Sequence, residues 1–422
     1  MNRLVCTSDD GAAAVREKLP AAARAQGGPA RVLFVNVGVL GFATTSGNLV
    51  HFAGLRDDID AVHFTARMPR WLRAACAEPP VEVGGWDFQQ SRMMLAWGAY
   101  LRRYFFGAGA WFPPDRFDVV HILTQQRGWV VREMSRRRAS GEAAPRTVIN
   151  LDATCRGWDS IRTYRRNAPA IDDAVERMIL RRADAVACAS EWCARGVETT
   201  ARVPQERVII HMPCARGLER AAGADRPSAA RGAGALPRIV FVGGDWPNKG
   251  GADLLRWHQQ RWADRAELHI VSGAAPVDRS CRNVIWHGAV DHAQLVGELL
   301  PSMDLFVVPT RWETFLIAAQ EAQAAGLPVV TTRTGAVPEV VLDGQTGFLC
   351  PALHAGGEGA FVASVQRLLD DAALRVRMGE AARRHAQHNL SASVWHDHLL
   401  DQLVNLACGR AVQRRPMAHS PA

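Results

Sequence analysis

The sequence predicts an α/β protein built from two doubly wound domains, each a mainly parallel sheet covered by helices. Three observations carry this reading. Short β-rich runs alternate with stretches long enough for helices, the alternation restarts after a breaker-rich joint, and 422 residues supply two to three domains of about 150 residues. Strands buried on both faces read as near-continuous apolar runs, and their alternation with helices implies parallel pairing.

The elements follow in order. Residues 1–30 form an N-terminal extension whose Ala-rich part, 11–30, is expected to be disordered. In the first domain, 31–213, the runs RVLFVNVG (31–38), FDVVHIL (117–123), RTVINL (146–151), ADAVACAS (183–190) and RVIIHMP (207–213) read as strands. Residues 214–237 mix Gly, Ala, Pro and Arg without apolar periodicity, as a linker or surface insertion does. The second domain, 238–388, alternates more clearly. Strands are expected at 237–244, 266–273, 283–288, 304–310, 327–332 and 346–350, with helices near 250–263, 291–300, 314–325 and 336–342. The amphipathic stretch 391–406 marks a helix within 389–411, and 412–422 is expected to be a disordered tail.

Composition narrows the function. With 48% hydrophobic and 22% charged residues the chain has the make-up of an ordinary globular enzyme or binding protein. No apolar run approaches the ~18 residues that cross a bilayer, and Asp9 and Asp10 stand where a secretory signal needs an apolar core, so a cytoplasmic location is expected. Nine cysteines with no Cys-x-x-Cys pair argue against disulfides and structural zinc, and read as small buried hydrophobes. The net charge of +8 is uneven: residues 1–213 hold 29 basic and 22 acidic side chains, and within 92–166 alone 14 Arg face 6 acids. That surplus suits phosphates, polyanions or an anionic membrane surface. Nucleic acid is not expected, because no aromatic interleaving and no nucleic-acid module accompany the Arg. The ordinary alternative is that Arg136, Arg137 and Arg138 are a solvated helix face.

Two constellations carry chemistry. FVGGDWPNKGG (241–251) ends a strand in Gly243 and Gly244 and opens a helix at Lys249-Gly250. Glycines let a backbone approach a phosphate, and a helix N-terminus supplies free N–H groups. The chain holds only two lysines, Lys18 and Lys249, against 48 arginines, so a Lys at this turn points to a need for a compact ammonium, with an exposed Lys at a helix start as the ordinary alternative. The second constellation, RWETFLIAAQEAQAAGLPVV (311–330), sets Glu313 in a loop after a strand and Glu321 on the following helix, roughly 12 Å further along its axis. Glu321 lies among Ile317, Ala318, Ala324 and Ala325, where a carboxylate needs donors: ribose hydroxyls or a buried Arg.

With GAVPEVVLDGQTGFLCP (335–351) added, the order and spacing of these motifs resemble glycosyltransferase family 4, the retaining enzymes of GT-B fold, specifically across 237–351 and more loosely through DVVH (118–121), NLDAT (150–154), ADAVACASEW (183–192) and ERVIIHMP (206–213). The resemblance implies two Rossmann-like domains facing across a cleft, with the 389–411 helix crossing back onto the N-terminal domain. It also implies transfer of a sugar from a nucleoside diphosphate sugar to a glycan or lipid-linked acceptor in cell-surface polysaccharide or lipopolysaccharide assembly. Lys249 would hold the donor diphosphate and Glu321 the ribose. Glu313 would face the donor sugar, with Thr314, Phe315 and Leu316 in the backbone that binds it. Asp152 would stand near the reacting centre; a turn or helix-capping Asp is the equal alternative.

Two departures stand out. Relatives usually carry an Arg in the phosphate turn where this chain has Gly244 and Asn248, and a Phe-Gly where it has Phe315-Leu316. Arg311 would restore the missing cation or be an ordinary surface Arg. No cofactor beyond the donor substrate is expected. No metal is expected either: no Asp-x-Asp is read as ligating a divalent ion for the diphosphate, and His385, His388, His396 and His398 read as a surface helix rather than ligands. A non-catalytic carbohydrate- or phosphate-binding protein and a GT-B nucleotide-sugar epimerase are the competing functions.

Overall fold

The computed structural model describes residues 4–7, 27–38, 41–65, 67, 82–83, 86–87, 89–107, 110–161, 170–214, 234–276, 278 and 280–415. These fall into two compact units. The first takes described residues up to Pro213 and again from Ala392 onward; the second takes Ile161 and those of Cys214–Ser391.

The first unit holds a seven-stranded sheet: β1 (Leu4–Thr7), β2 (Ala30–Asn36), β3 (Ile59–Thr65), β6 (Val119–Leu123), β7 (Arg146–Leu151), β8 (Ala185–Cys188) and β9 (Val208–Ile210). Their order is β1-β3-β2-β6-β7-β8-β9, and every pair is parallel. A separate antiparallel pair joins β4 (Glu82–Val83) to β5 (Trp86–Asp87). The second unit holds β10 (Arg238–Val242), β11 (Glu267–Val271), β12 (Val284–Gly288), β13 (Leu305–Val308), β14 (Val329–Thr332) and β15 (Gly347–Cys350), ordered β12-β11-β10-β13-β14-β15 and parallel throughout. The expected fold class is therefore the one observed.

β3 is absent from the sequence reading, because Asp60, His63 and Thr65 interrupt its apolar pattern. His63 is nonetheless buried, stacked on Phe34 at 4.6 Å and within 3.3 Å of Asn36 Nδ2. The extension is also corrected: β1 pairs with β3 in the register Leu4 to Val62, so part of 1–30 belongs to the sheet. Most of 11–30 and of 214–237 lies outside the described residues.

The helix Ala392–Ala407 places Leu399, Leu400 and Leu403 in one core cluster with Val32 and Phe34 of β2, Val119 of β6 and Ile209 of β9. His396 is fully buried on this helix, edge-on to the His211 ring at 4.7 Å, and His385 is buried with its Nε2 at 3.1 Å from the Val340 carbonyl. Neither lies on a surface helix, contrary to the expectation, because each turns an apolar ring inward and finds its polar contact there. Residues 412–415 are tied down as well, with Arg414 ion-paired to Glu191 and Glu198.

The arginine run is likewise not a uniform solvated face. On the helix Val130–Ala139, Arg136 is exposed, whereas Arg138 pairs with Asp184 at 2.7 Å. Asp184 also accepts the backbone N–H of Thr147 at 2.8 Å, so Arg138 ties this helix to β7.

Candidate active site

In the second sheet, β10 leads to β11 on one side while its other neighbour, β13, leads to β14 on the far side. The order in which strands are added thus reverses between β10 and β13, and the crevice beyond their carboxyl ends is where an open parallel sheet binds ligands. The segments leaving these strands are the Gly243–Gly250 turn before the helix Gly251–Trp257, and the Pro309–Leu316 loop before the helix Ile317–Ala324. Both sequence constellations therefore meet at one point.

The meeting is direct. Lys249 Nζ forms an ion pair with Glu313 Oε2, and both side chains are more than four-fifths buried. Asn248 fastens the two segments: its carbonyl accepts from Arg311 N at 2.7 Å, its Nδ2 donates to the Trp312 carbonyl at 3.1 Å, and its Oδ1 accepts from Trp312 N at 3.2 Å. Glycine is required where the segments press closest. A Cβ on Gly243 would lie 2.8 Å from Lys249 Cγ, and one on Gly250, whose φ is +70°, would lie 2.2 Å from the Pro309 carbonyl oxygen. Gly244 meets nothing within 4 Å, so nothing packed against it demands a glycine.

The Glu313 carboxylate folds back on its own loop and accepts from Thr314 N at 2.9 Å. Phe315 is buried beside it, its N–H 3.4 Å from the same oxygen. Leu316 then enters the left-handed region at φ +57°, buried, and no side chain caps the helix that follows. The first-turn N–H groups at such a helix start present a favourable dipole to an anion. Its interior places Glu321, nearly buried, with Oε1 2.7 Å from Nε2 of exposed His292. The partner expected for Glu321 in the absence of ribose is thus a histidine rather than an arginine.

Arg311 turns toward the first helix. Its Nη2 pairs with Asp253 at 2.7 Å and its Nη1 donates to the Pro247 carbonyl at 2.9 Å, so its charge is spent on bracing the turn. Asp152 lies half-buried just beyond the carboxyl end of β7 in the first unit. Among the described residues no three His, Cys, Asp or Glu side chains are placed to hold a metal. An Asp-x-Asp spacing does occur at Asp58-Ile59-Asp60, at the amino end of β3, where Asp58 is bound to Arg56 at 2.7 Å.

Sequence reasoning missed Asn248 as a fastener and His292 as the partner of Glu321. Asn248 was visible only as the residue where an Arg was missing, and His292 begins a short helix after β12 with no signal beyond its residue type.

Comparison with known proteins closes the identification. Residues 44–214 match the family model described as glycosyl transferase 4-like domain, and residues 236–371 the one described as glycosyl transferases group 1. The chain belongs to the group 1 glycosyltransferases of family 4. Within this glycosyltransferase family it is 40% identical over 127 residues to a glycogen synthase of Mycobacterium tuberculosis, an alignment covering 30% of this chain and 28% of that protein. It is 32% identical over 187 residues to a D-inositol 3-phosphate glycosyltransferase of Stackebrandtia nassauensis, covering 44% and 37%. The chain thus spans less than two-fifths of either relative. Solved structures share the GT-B fold: sucrose-phosphate synthase from Thermosynechococcus elongatus, with a TM-score of 0.65 at 17% identity over 90% of this chain and 100% of that one, and Anabaena HepE in complex with UDP-glucose, with 0.58 at 16% over 88% and 99%. No helix among the described residues is long and apolar enough to cross a membrane.

Proposed function

We propose that this protein is a retaining, metal-independent glycosyltransferase that moves a sugar from a nucleoside diphosphate sugar to a glycan or lipid-linked acceptor in cell-surface polysaccharide or lipopolysaccharide assembly. The observation that carries the reading is the Lys249–Glu313 pair beside the uncapped N-terminus of the Ile317–Ala324 helix, with Glu321 eight residues beyond Glu313. A diphosphate suits that combination: the ammonium and the helix N–H groups stabilise charge that grows on the leaving group as the glycosidic bond breaks. Glu313 holds Lys249 in place until donor arrives and then faces the sugar, while Glu321 and His292 receive the ribose hydroxyls. Asp152 is assigned to the acceptor side. Attack from the face the diphosphate leaves would retain configuration, with the departing phosphate helping to deprotonate the acceptor. UDP-glucose is the first donor to try, because the HepE structure was solved with it.

The expected outcome is thermal stabilisation by one member of a UDP- and GDP-sugar panel, together with slow release of free sugar from that donor. Lys249→Ala should lower kcat/KM by about 10²-fold with little change in Tm, since a charge-assisted contact in a water-poor site is worth about 3 kcal/mol. Stabilisation without any sugar release would make the chain a binding protein, and normal turnover in the Lys249 variant would remove the lysine from the site.

We further propose that the arginine-rich first unit brings the enzyme to an anionic membrane face as a peripheral protein. Exposed Arg102, Arg132 and Arg136 support this, each worth about 1 kcal/mol near a charged leaflet.

A further inference from the structure

A cavity of about 320 Å³ opens in the first unit between the helix Cys155–Ile161 and the helix Glu191–Gly196 with its continuation Val197–Ala201. Both helices begin just beyond the carboxyl ends of β7 and β8, the ligand-binding end of a parallel sheet. The wall starts at Thr154, two residues after Asp152. Nothing in the donor chemistry above uses this space.

Its lining has three kinds of group. Trp192, half-buried, supplies an indole surface. Around it stand the hydroxyls of Ser160, Thr199 and Thr200, which donate to the Gly157, Arg195 and Gly196 carbonyls at 2.7, 2.6 and 2.5 Å. A hydroxyl that has given its proton to the backbone keeps its lone pairs, so this rim accepts hydrogen bonds. It therefore suits a ligand rich in O–H donors. The third kind is cationic. Arg156 is ion-paired to Asp173, whereas Arg195 is exposed and forms no ion pair among the described residues. Among the described residues, one uncompensated cation beside the cavity calls for one anionic group on the ligand.

The floor depends on two glycines. A Cβ on Gly157 would lie 3.2 Å from both Thr154 Oγ1 and Trp192 Cη2, and one on Gly196 would lie 3.1 Å from Thr154 Oγ1. The wall is also braced from beneath. The buried Glu176 carboxylate accepts from Cys155 N at 3.0 Å and from Gln125 Nε2 at 3.2 Å, and the same Nε2 donates to the Ala153 carbonyl at 3.0 Å. The Asp152–Cys155 segment is thereby pinned to the loop after β6, which makes the cavity wall rigid before any ligand arrives.

We propose that this cavity binds a polyhydroxylated ring carrying one anionic group, a phosphate or a carboxylate. An aromatic surface with a few placed polar groups is the usual make-up of a small-molecule site, and the volume accommodates one sugar ring. As the seat of the acceptor's terminal residue the cavity rests on the glycosyltransfer reading; as a binding site it does not.

The test is calorimetric titration of the full chain, without nucleotide, using glucose 6-phosphate, glucuronate, glucose and inorganic phosphate. At least one anionic sugar should bind about tenfold or more tightly than glucose and than phosphate, and which one does so tells phosphate from carboxylate. Arg195→Gln should erase that preference with Tm unchanged, and Trp192→Ala should weaken both sugar classes. Glucose binding as tightly as both anionic sugars, free phosphate binding as tightly as the preferred anionic sugar, or an Arg195→Gln variant that behaves like the parent overturns the proposal. UDP titrated on the same samples separates the two readings. Nucleotide binding that needs Lys249 alongside no sugar binding defeats the cavity alone, and sugar binding alongside no response to any nucleotide sugar defeats the donor reading while the cavity stands.

Discussion

Leu316 shows two local effects pulling against each other. Its φ of +57° places a leucine where L-residues pay roughly 1–2 kcal/mol and glycine pays little. Its side chain is also buried, 4% exposed, and removing a buried leucine side chain costs about 2–5 kcal/mol. Burial is the larger of the two. Leu316→Gly should therefore destabilise the protein by roughly 1–3 kcal/mol despite relaxing the backbone, read as a lower urea midpoint. A higher midpoint would mean that strain outweighs packing here, as it would if the loop were built for glycine. At this scale the sequence was legible in identities rather than in contacts. Lys249 and Glu313 were each picked out by residue type and setting, but 64 residues separate them, and no local pattern encodes a pairing across two parallel strands. The same distance hid the role of Asn248.

Among the elements, strands buried on both faces, such as β6, β8 and β13, were read correctly, because every residue there is apolar or hidden. β3 was missed because Asp60, His63 and Thr65 break its apolar pattern, and β1 because four residues beside an Ala-rich stretch carry too little pattern. The Val130–Ala139 helix shows why charge alone misleads. Arg136 and Arg138 look equivalent in sequence, yet Arg138 meets Asp184, 46 residues away, with its side chain 20% exposed, while Arg136 is 69% exposed. An exposed pair contributes at most about 1 kcal/mol, whereas removing one partner of a mostly buried, multiply bonded pair costs more. Arg138→Gln should thus lower stability by roughly 2 kcal/mol and leave vesicle binding intact. Arg136→Gln should leave stability within about 0.5 kcal/mol and reduce sedimentation with anionic vesicles at low salt. Equal stability losses from both would return the run to a uniform face, and sedimentation insensitive to Arg136 and to salt would remove the membrane from the reading.

At the scale of the whole molecule, acid should act through buried histidines. Burial holds His121 at about 3 and holds His211 well below its ordinary value, with His396 and His121 adding repulsion to His211. In the unfolded chain both titrate near 6.5, so below that pH the unfolded state binds more protons and stability falls as pH drops. Glu176 works the other way. Burial raises it to about 7, so its contribution is full below about 4.5 and is lost as pH rises through 7. His258, His269, His287 and His398 are held low by burial as well, so the depressed histidines outnumber Glu176 and stability falls as pH drops from 6 to 4.5. Urea midpoints should decline over that window, and His121→Leu should flatten the decline; a midpoint that rises on acidification would show that Glu176 dominates.

The order in which the chain is used leads to a sharper expectation. It enters the first unit, builds the second, and returns at Ala392 to complete the first. The returning helix buries Leu399, Leu400 and Leu403 against β2, β6 and β9, and Arg414 then clamps Glu191 and Glu198. Three leucines at about 2 kcal/mol or more each approach the entire net stability of a typical domain, so the first unit lacks a complete core without them. The second unit needs no such return, because its six strands and their covering helices are continuous from Gly234 to Ser391. A fragment of residues 234–391 should therefore fold alone, with a cooperative thermal transition and dispersed amide resonances. A fragment ending at Pro213 should not, and adding a peptide of residues 390–415 in trans should restore protease resistance to it. Cooperative unfolding of the 1–213 fragment without the peptide would show that the sheet closes its own core and that the terminal helix is only a cover.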